Sequence, residues 1–264
     1  MHTPDTQPIA PRHPDVVMRL DRLGSFHQSR LSFMRILLRR LQSEGWRVVR
    51  TLFEIDARGV GRAVYTAHGP DRSYSLVAFA NDLPPEKRSD RVIATEWDAT
   101  FTLFDGVPDA TDLARLQANV PRQEAGRISE KELSLSRANR SVRLWDHVVE
   151  SLAAGHQPDP ARVAEVGYLM RTTAVYGSGK FGAADREQIA HRPECQAPFQ
   201  IEMLSVYLTR AFVIDLVEHM ARMRAPDPAV PLDPDLRRRS GSGVPLALRM
   251  APLPLSRPRP PTRC

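Results

Sequence analysis

The sequence predicts an α+β protein: an N-terminal helix and a four-stranded antiparallel meander, then a helical half and a disordered Pro/Arg-rich tail. Three observations carry that reading. Two-residue alternation runs between residues 46 and 104, helical spacing of apolar residues flanks it on both sides, and the composition changes abruptly at Pro226. With 264 residues and 42 % hydrophobic content, the chain can bury a core of one large or two modest units.

Residues 1–25 read as a flexible lead-in. From Phe26 to Leu41, the apolar positions Phe26, Leu31, Phe33, Met34, Leu37, Leu38 and Leu41 fall at helical spacing, while Arg30, Arg35, Arg39 and Arg40 fill much of the remainder. Gly45 supplies the stop. Four strand segments follow. Trp46 to Asp56 and Arg62 to His68 are joined by a turn containing Gly59 and Gly61, which predicts a hairpin. Gly69-Pro70-Asp71-Arg72 turns the chain into Tyr74 to Ala80. After Pro84-Pro85 comes Arg91 to Phe104, with Trp97, Ala99, Phe101 and Leu103 on one face and Glu96, Asp98, Thr100 and Thr102 on the other. Short turns between consecutive strands imply an antiparallel sheet, which completes a unit over residues 26–107.

Residues 108–225 read as helical and packed on that sheet. Asp109 to Ala118 is a short helix, and Ser129-Glu130-Lys131-Glu132 opens a long one to about Ala154, with Ser129 as its cap. Asp159-Pro160 starts another, to about Thr173, and Ala184 to His191 forms a short one. Phe199 to Met223 is apolar around most of its circumference, so it belongs in the centre of a bundle. Residues 226–264 hold ten of the 23 prolines and no aromatic side chain, which predicts disorder. A second reading takes the run from Ser240 to Cys264 as an out-of-frame or truncated end.

The net charge of +6 is mostly a property of that tail, where seven Arg meet three Asp; residues 26–225 keep only +2. The folded part therefore lacks the broad basic footprint of a nucleic-acid binder. Arginine makes up 34 of the 37 cationic side chains, which suggests a GC-rich bacterial gene. Two cysteines, Cys195 and Cys264, give no disulfide framework. Neither a secretory signal nor an apolar run long enough to span a bilayer occurs, so a cytoplasmic location with no membrane partner is expected.

One candidate site stands out. In Gly177-Ser178-Gly179-Lys180-Phe181-Gly182, a lysine departs from the arginine habit of the chain. Glycines permit close approach of a ligand to the main chain, and a compact ammonium suits a phosphate or carboxylate. The spelling fits G-x-G-x-x-G, but the preceding Val163 to Thr173 reads as helix, and no ribose-binding acid follows on a second strand. Kinase and Walker signatures are absent as well. What remains is an anion-binding loop before the Ala184 helix, competing with a plain helix-ending turn.

Glu96 and Asp98 share a strand face at roughly 7 Å, and His68 ends a nearby strand, a trio suited to acid/base work. Helical pairs (His147 with Glu150, Glu187 with His191, Asp215 with His219) lack the paired Glu-x-x-His order of di-metal bundles and read as surface pairs. Cys195 has no orienting partner, no metal is assigned, and no cofactor follows from the sequence. The expected function is an enzyme or binding protein for a small anionic metabolite. The alternative is an interaction protein that uses the basic helix and Arg-rich tail on an acidic partner or nucleic acid.

Overall fold

The computed structural model describes residues 36–82, 97–119, 129–175, 192 and 200–239. Six strands among them form one antiparallel sheet in chain order: β1 Arg47–Ile55, β2 Gly61–His68, β3 Ser73–Asp82, β4 Trp97–Asp105, β5 Glu132–Arg140 and β6 Met170–Val175. The class is α+β as expected, and the first four strands form the expected meander. The β1–β2 turn depends on Gly61, whose φ of 141° favours glycine and whose missing side chain leaves room for the Glu54 carbonyl.

Alternation sorts the sheet into two faces. Tyr65, Leu76, Ala78, Trp97, Ala99, Phe101 and Leu103 point to the main core, while Val64, Val77, Phe79 and Phe104 build a smaller cluster on the outer face. In β1, Val48 and Ile55 lie an odd number of residues apart yet share the core face. An irregularity between Arg50 and Leu52 resets the register, as an extra bulged residue must.

The helices are α1 (described over 36–43), α2 Ala110–Asn119, α3 Trp145–Ala153, α4 Pro160–Val166, α5 Gln200–Arg224 and α6 Pro234–Arg239. Leu37 and Leu41 of α1 are buried, and Gly45 follows with φ 68°. Helix α2 covers part of the outer face through Leu116. Helix α5 lies across the core face, not inside a helical bundle as its composition suggested. Its Phe212 ring meets Tyr65 edge-on at 6.4 Å and Phe101 at 5.5 Å, and α3 packs beside it with Val148, Val149 and Leu152. An all-round apolar helix needs cover on every side, and a sheet supplies it as well as helices do.

Two expected helices are helical only in part, each giving up some of its length to a strand. Most of residues 129–154 is β5 and its turns, with helix confined to Trp145–Ala153. Ser129 Oγ donates to Glu132 Oε1 at 3.2 Å, side chain to side chain, rather than accepting a backbone N–H as a helix cap would; Leu133 and Leu135 alternate with Ser134 and Ser136, and β4 offers a ladder to pair with. Helix α4 starts as expected, with Asp159 accepting from Ala161 N at 2.9 Å, but stops at Gly167 in a left-handed cap; β6 follows. Local helix signals were overruled by strand pairing.

Residues 226–239, expected to be disordered, are folded, while residues 240–264 lie outside the described residues. Residues 226–239 pack on the core, burying Leu232 and Leu236 and forming α6. Leu232, just before α6, and Leu236, within it, give this proline-rich stretch an apolar anchor.

Candidate functional site

The residues singled out from sequence fall at opposite ends of the sheet. His68 is in register with Ser73, and Asp98 with Asn81, so they lie eight positions apart along β3, or about 26 Å at 3.3 Å per residue. The structure does not bring them together. Glu96 lies outside the described residues, as do Gly177, Ser178, Gly179, Lys180, Gly182 and Cys195.

His68 Nδ1 is 3.0 Å from Ser73 Oγ across the β2–β3 ladder. Asp98 is 2 % exposed, and the Arg137 guanidinium of β5 donates to it through Nε. Burial raises the Asp98 carboxyl above its ordinary range, an effect that the Arg137 charge and hydrogen bond oppose. Thr100 and Thr102 continue the same strand face, and both Thr102 Oγ1 and Asn81 Nδ2 are buried without a hydrogen-bond partner. This row is a polar floor with one charge pair.

The glycine-rich segment is bracketed by two fixed points. Strand β6 enters the sheet at Met170, opposite Arg140, and ends at Val175, opposite Ser136. It therefore runs away from the Asp98 end toward the His68 end, and Gly177 follows two residues later. The segment is thus preceded by a strand, where the sequence suggested a helix. Beyond it, Arg192 is pinned at the His68 end: its Nη2 donates to Asp105 Oδ2 at 2.6 Å and its Nη1 to the Tyr74 hydroxyl at 3.4 Å. Burial disfavours the Arg192 charge, but these bonds outweigh it and hold the guanidinium above its ordinary value.

Sequence reasoning missed a second ionic cluster on the core face. Asp215 Oδ2 of α5 accepts from the Tyr65 hydroxyl at 2.9 Å and from Arg50 Nη1 at 3.0 Å, and Arg237 lies 3.5 Å from Oδ1. Tyr65 is wholly buried; burial and the Asp215 charge push its phenol well above the usual value. A single tyrosine on an apolar strand face is its only trace in sequence, because 150 residues separate the partners. Asp215 does not pair with His219, whose Nε2 faces the Asp56 carbonyl at 3.3 Å. Nor does His147 pair with Glu150: its Nε2 is 3.4 Å from Asp159 N, while Glu150 meets Arg224.

A third cluster is a clamp. Arg140 lies over the rings of Trp97 at 4.1 Å and Trp145 at 5.1 Å and donates to the Arg58 carbonyl at 2.8 Å, while Trp97 Nε1 donates to Gly59 O at 2.8 Å. Burial pushes the Arg140 guanidinium down to about 10. Its chemistry is structural: it grips the β1–β2 turn with two stacked donors.

No group of His, Cys, Asp or Glu among the described residues could hold a metal ion. Among them, too, no helix is long and apolar enough to cross a membrane. No family model, curated protein or solved structure matches the chain.

Proposed function

We propose that the protein binds a small anionic metabolite, bearing a phosphate or a carboxylate, through the backbone of Gly177, Ser178, Gly179 and Gly182 and the ammonium of Lys180. The observation that carries this reading is the bracketing of the segment. Strand β6 delivers the chain to Val175, and Arg192 is held by Asp105 and Tyr74, so both approaches to the glycine-rich stretch are tied to the sheet. A loop with fixed ends loses less freedom on binding than one on free ends.

The acid/base trio gains no support from the register, since Asp98 lies at the far end of the sheet from His68. Ligand binding is therefore the reading, without an assigned reaction. We place the protein in the bacterial cytoplasm on its composition.

Thermal denaturation with inorganic phosphate and a panel of phosphorylated and carboxylated metabolites tests the reading. A binder at about a hundred times its dissociation constant adds about 2.7 kcal/mol of stability. Lys180→Ala removes most of that shift, and Lys180→Arg keeps part of it. Lys131→Ala, which removes an exposed ammonium 3.6 Å from Asp112, is the charge control. A clear binder that Lys180→Ala holds as tightly as the parent contradicts the proposal.

A further inference from the structure

Two buried N–H groups beneath the β1–β2 turn have nothing to bond. Arg140 Nε and Trp145 Nε1 are shut off from solvent without a hydrogen-bond partner, and Arg140 Cζ lies 5.1 Å from the centroid of the Trp145 ring. Trp145 is 1 % exposed and belongs to the main core, so its indole cannot turn toward water. Arg140 is held as firmly. Its Nη2 donates to the Arg58 carbonyl at 2.8 Å and lies 3.6 Å from Met220 Sδ, its Cζ is 4.1 Å from the centre of the Trp97 ring, and a Cβ on Gly59 would collide with Nη2. The grip on the turn uses Nη2 and the stacked faces; Nε–H is left over.

The charge of Arg140 is unmatched as well. Among the described residues it forms no ion pair. Burial disfavours the charge, which Asp146, Asp82 and Asp56 support only from a distance and Arg224 opposes. Asp56 and Asp82 are engaged by Arg58 at 3.4 and 2.8 Å, and Asp146 is exposed in the first turn of α3. A buried cation without a counter-charge and buried N–H groups without acceptors are each costly. A water molecule answers the N–H groups and leaves the charge; an anion answers both.

We propose that Arg140 and Trp145 form a binding site for a small monovalent anion of the halide class, such as chloride, which accepts from Arg140 Nε–H and Trp145 Nε1–H together. The surroundings select that class. Two indole rings and a thioether offer little to replace a hydration shell, and the cost of stripping that shell climbs steeply with charge. A singly charged, weakly hydrated ion loses least. Phosphate brings several oxygens and more charge to a place with two free donors. None of the residues of the glycine-rich segment takes part, so this site stands or falls apart from that one.

Indole and guanidinium N–H resonances of the isotope-labelled full chain test this, because each group is read separately. Sodium chloride or bromide replaces sodium sulfate at constant ionic strength. The Trp145 Nε1–H and Arg140 Nε–H resonances are expected to move together and saturate, while that of Trp46, whose Nε1 donates to Glu44 at 2.8 Å, stays in place. Sodium phosphate in place of the halide moves neither. Trp145→Phe, which keeps an aromatic ring and removes one donor, raises the chloride needed to half-saturate Arg140 Nε–H by about tenfold, the equivalent of one hydrogen bond to a charged group. Asp146→Asn, an exposed change that removes a competing negative charge, lowers it. The proposal is overturned if neither resonance responds to halide, if the Trp145 shift only tracks that of Trp46, if phosphate moves both as far as chloride does, or if either variant leaves the halide titration unchanged.

Discussion

On the core face of the sheet, Tyr65, Leu76, Phe101 and Leu103 meet α5 in one continuous apolar layer, interrupted by a cluster around Asp215 in which each oxygen has a cationic or hydroxyl partner. The outer face is buried too, but by other means. Beside its small cluster around Phe104 and Leu116 it carries Thr66, Ser75, Thr100, Thr102 and Asp98, all at most 2 % exposed. Thr66 and Ser75 meet oxygen to oxygen at 2.9 Å and Ser75 donates to Gly106 O at 2.7 Å, whereas Thr102 Oγ1 has no partner. The core face is stabilised by area removed from water and fails through cavities. The outer face is stabilised by matched polar groups and fails when one partner is removed.

Substitutions on the two faces sharpen that contrast. Phe212→Ala on α5 removes a wholly buried ring from between Tyr65 and Phe101 and is expected to cost roughly 3 to 5 kcal/mol, with the denaturant midpoint as readout. A small effect would mean that α5 does not seal the core face. Asp98→Ala on the outer face takes the carboxylate from Arg137, whose side chain keeps 20 % exposure; a loss of about 3 kcal/mol, the low end for breaking a buried pair, is expected. Replacing both partners together, Asp98→Ala with Arg137→Met, should recover part of that loss. A double variant less stable than Asp98→Ala alone would show that the outer face does not depend on pairing.

Much of the fold was legible because its local signals agree. Strands β1 to β4 combine alternation with glycine-bearing turns, and α5 carries its apolar residues over more than six turns. The errors lie where local and tertiary preferences part. Before β5, Ser129 and Glu132 have the spacing of a helix start but bond side chain to side chain, and the chain runs into a strand paired with β4. In residues 226–239, Leu232 and Leu236 are too few to signal order without Glu218 and Arg237, which come together only in three dimensions.

The candidate site was less legible. Asp98 is a charge partner of Arg137, and a histidine far along the sheet cannot share its chemistry. Sequence distance hid the Asp215 cluster altogether. What the sequence did mark, the glycine-rich segment with Lys180, follows β6 and precedes a pinned arginine, two features visible only once strand pairing is known.

Amide hydrogen exchange with and without saturating inorganic phosphate, or the tightest anion in the metabolite panel, tests the central claim most directly because it locates the ligand. The account predicts added protection confined to residues 177–182 and the chain just around them, lost in Lys180→Ala. Protection that leaves this segment unchanged and appears instead along the Asp98, Thr100 and Arg137 row would contradict it and move the site to the polar outer face.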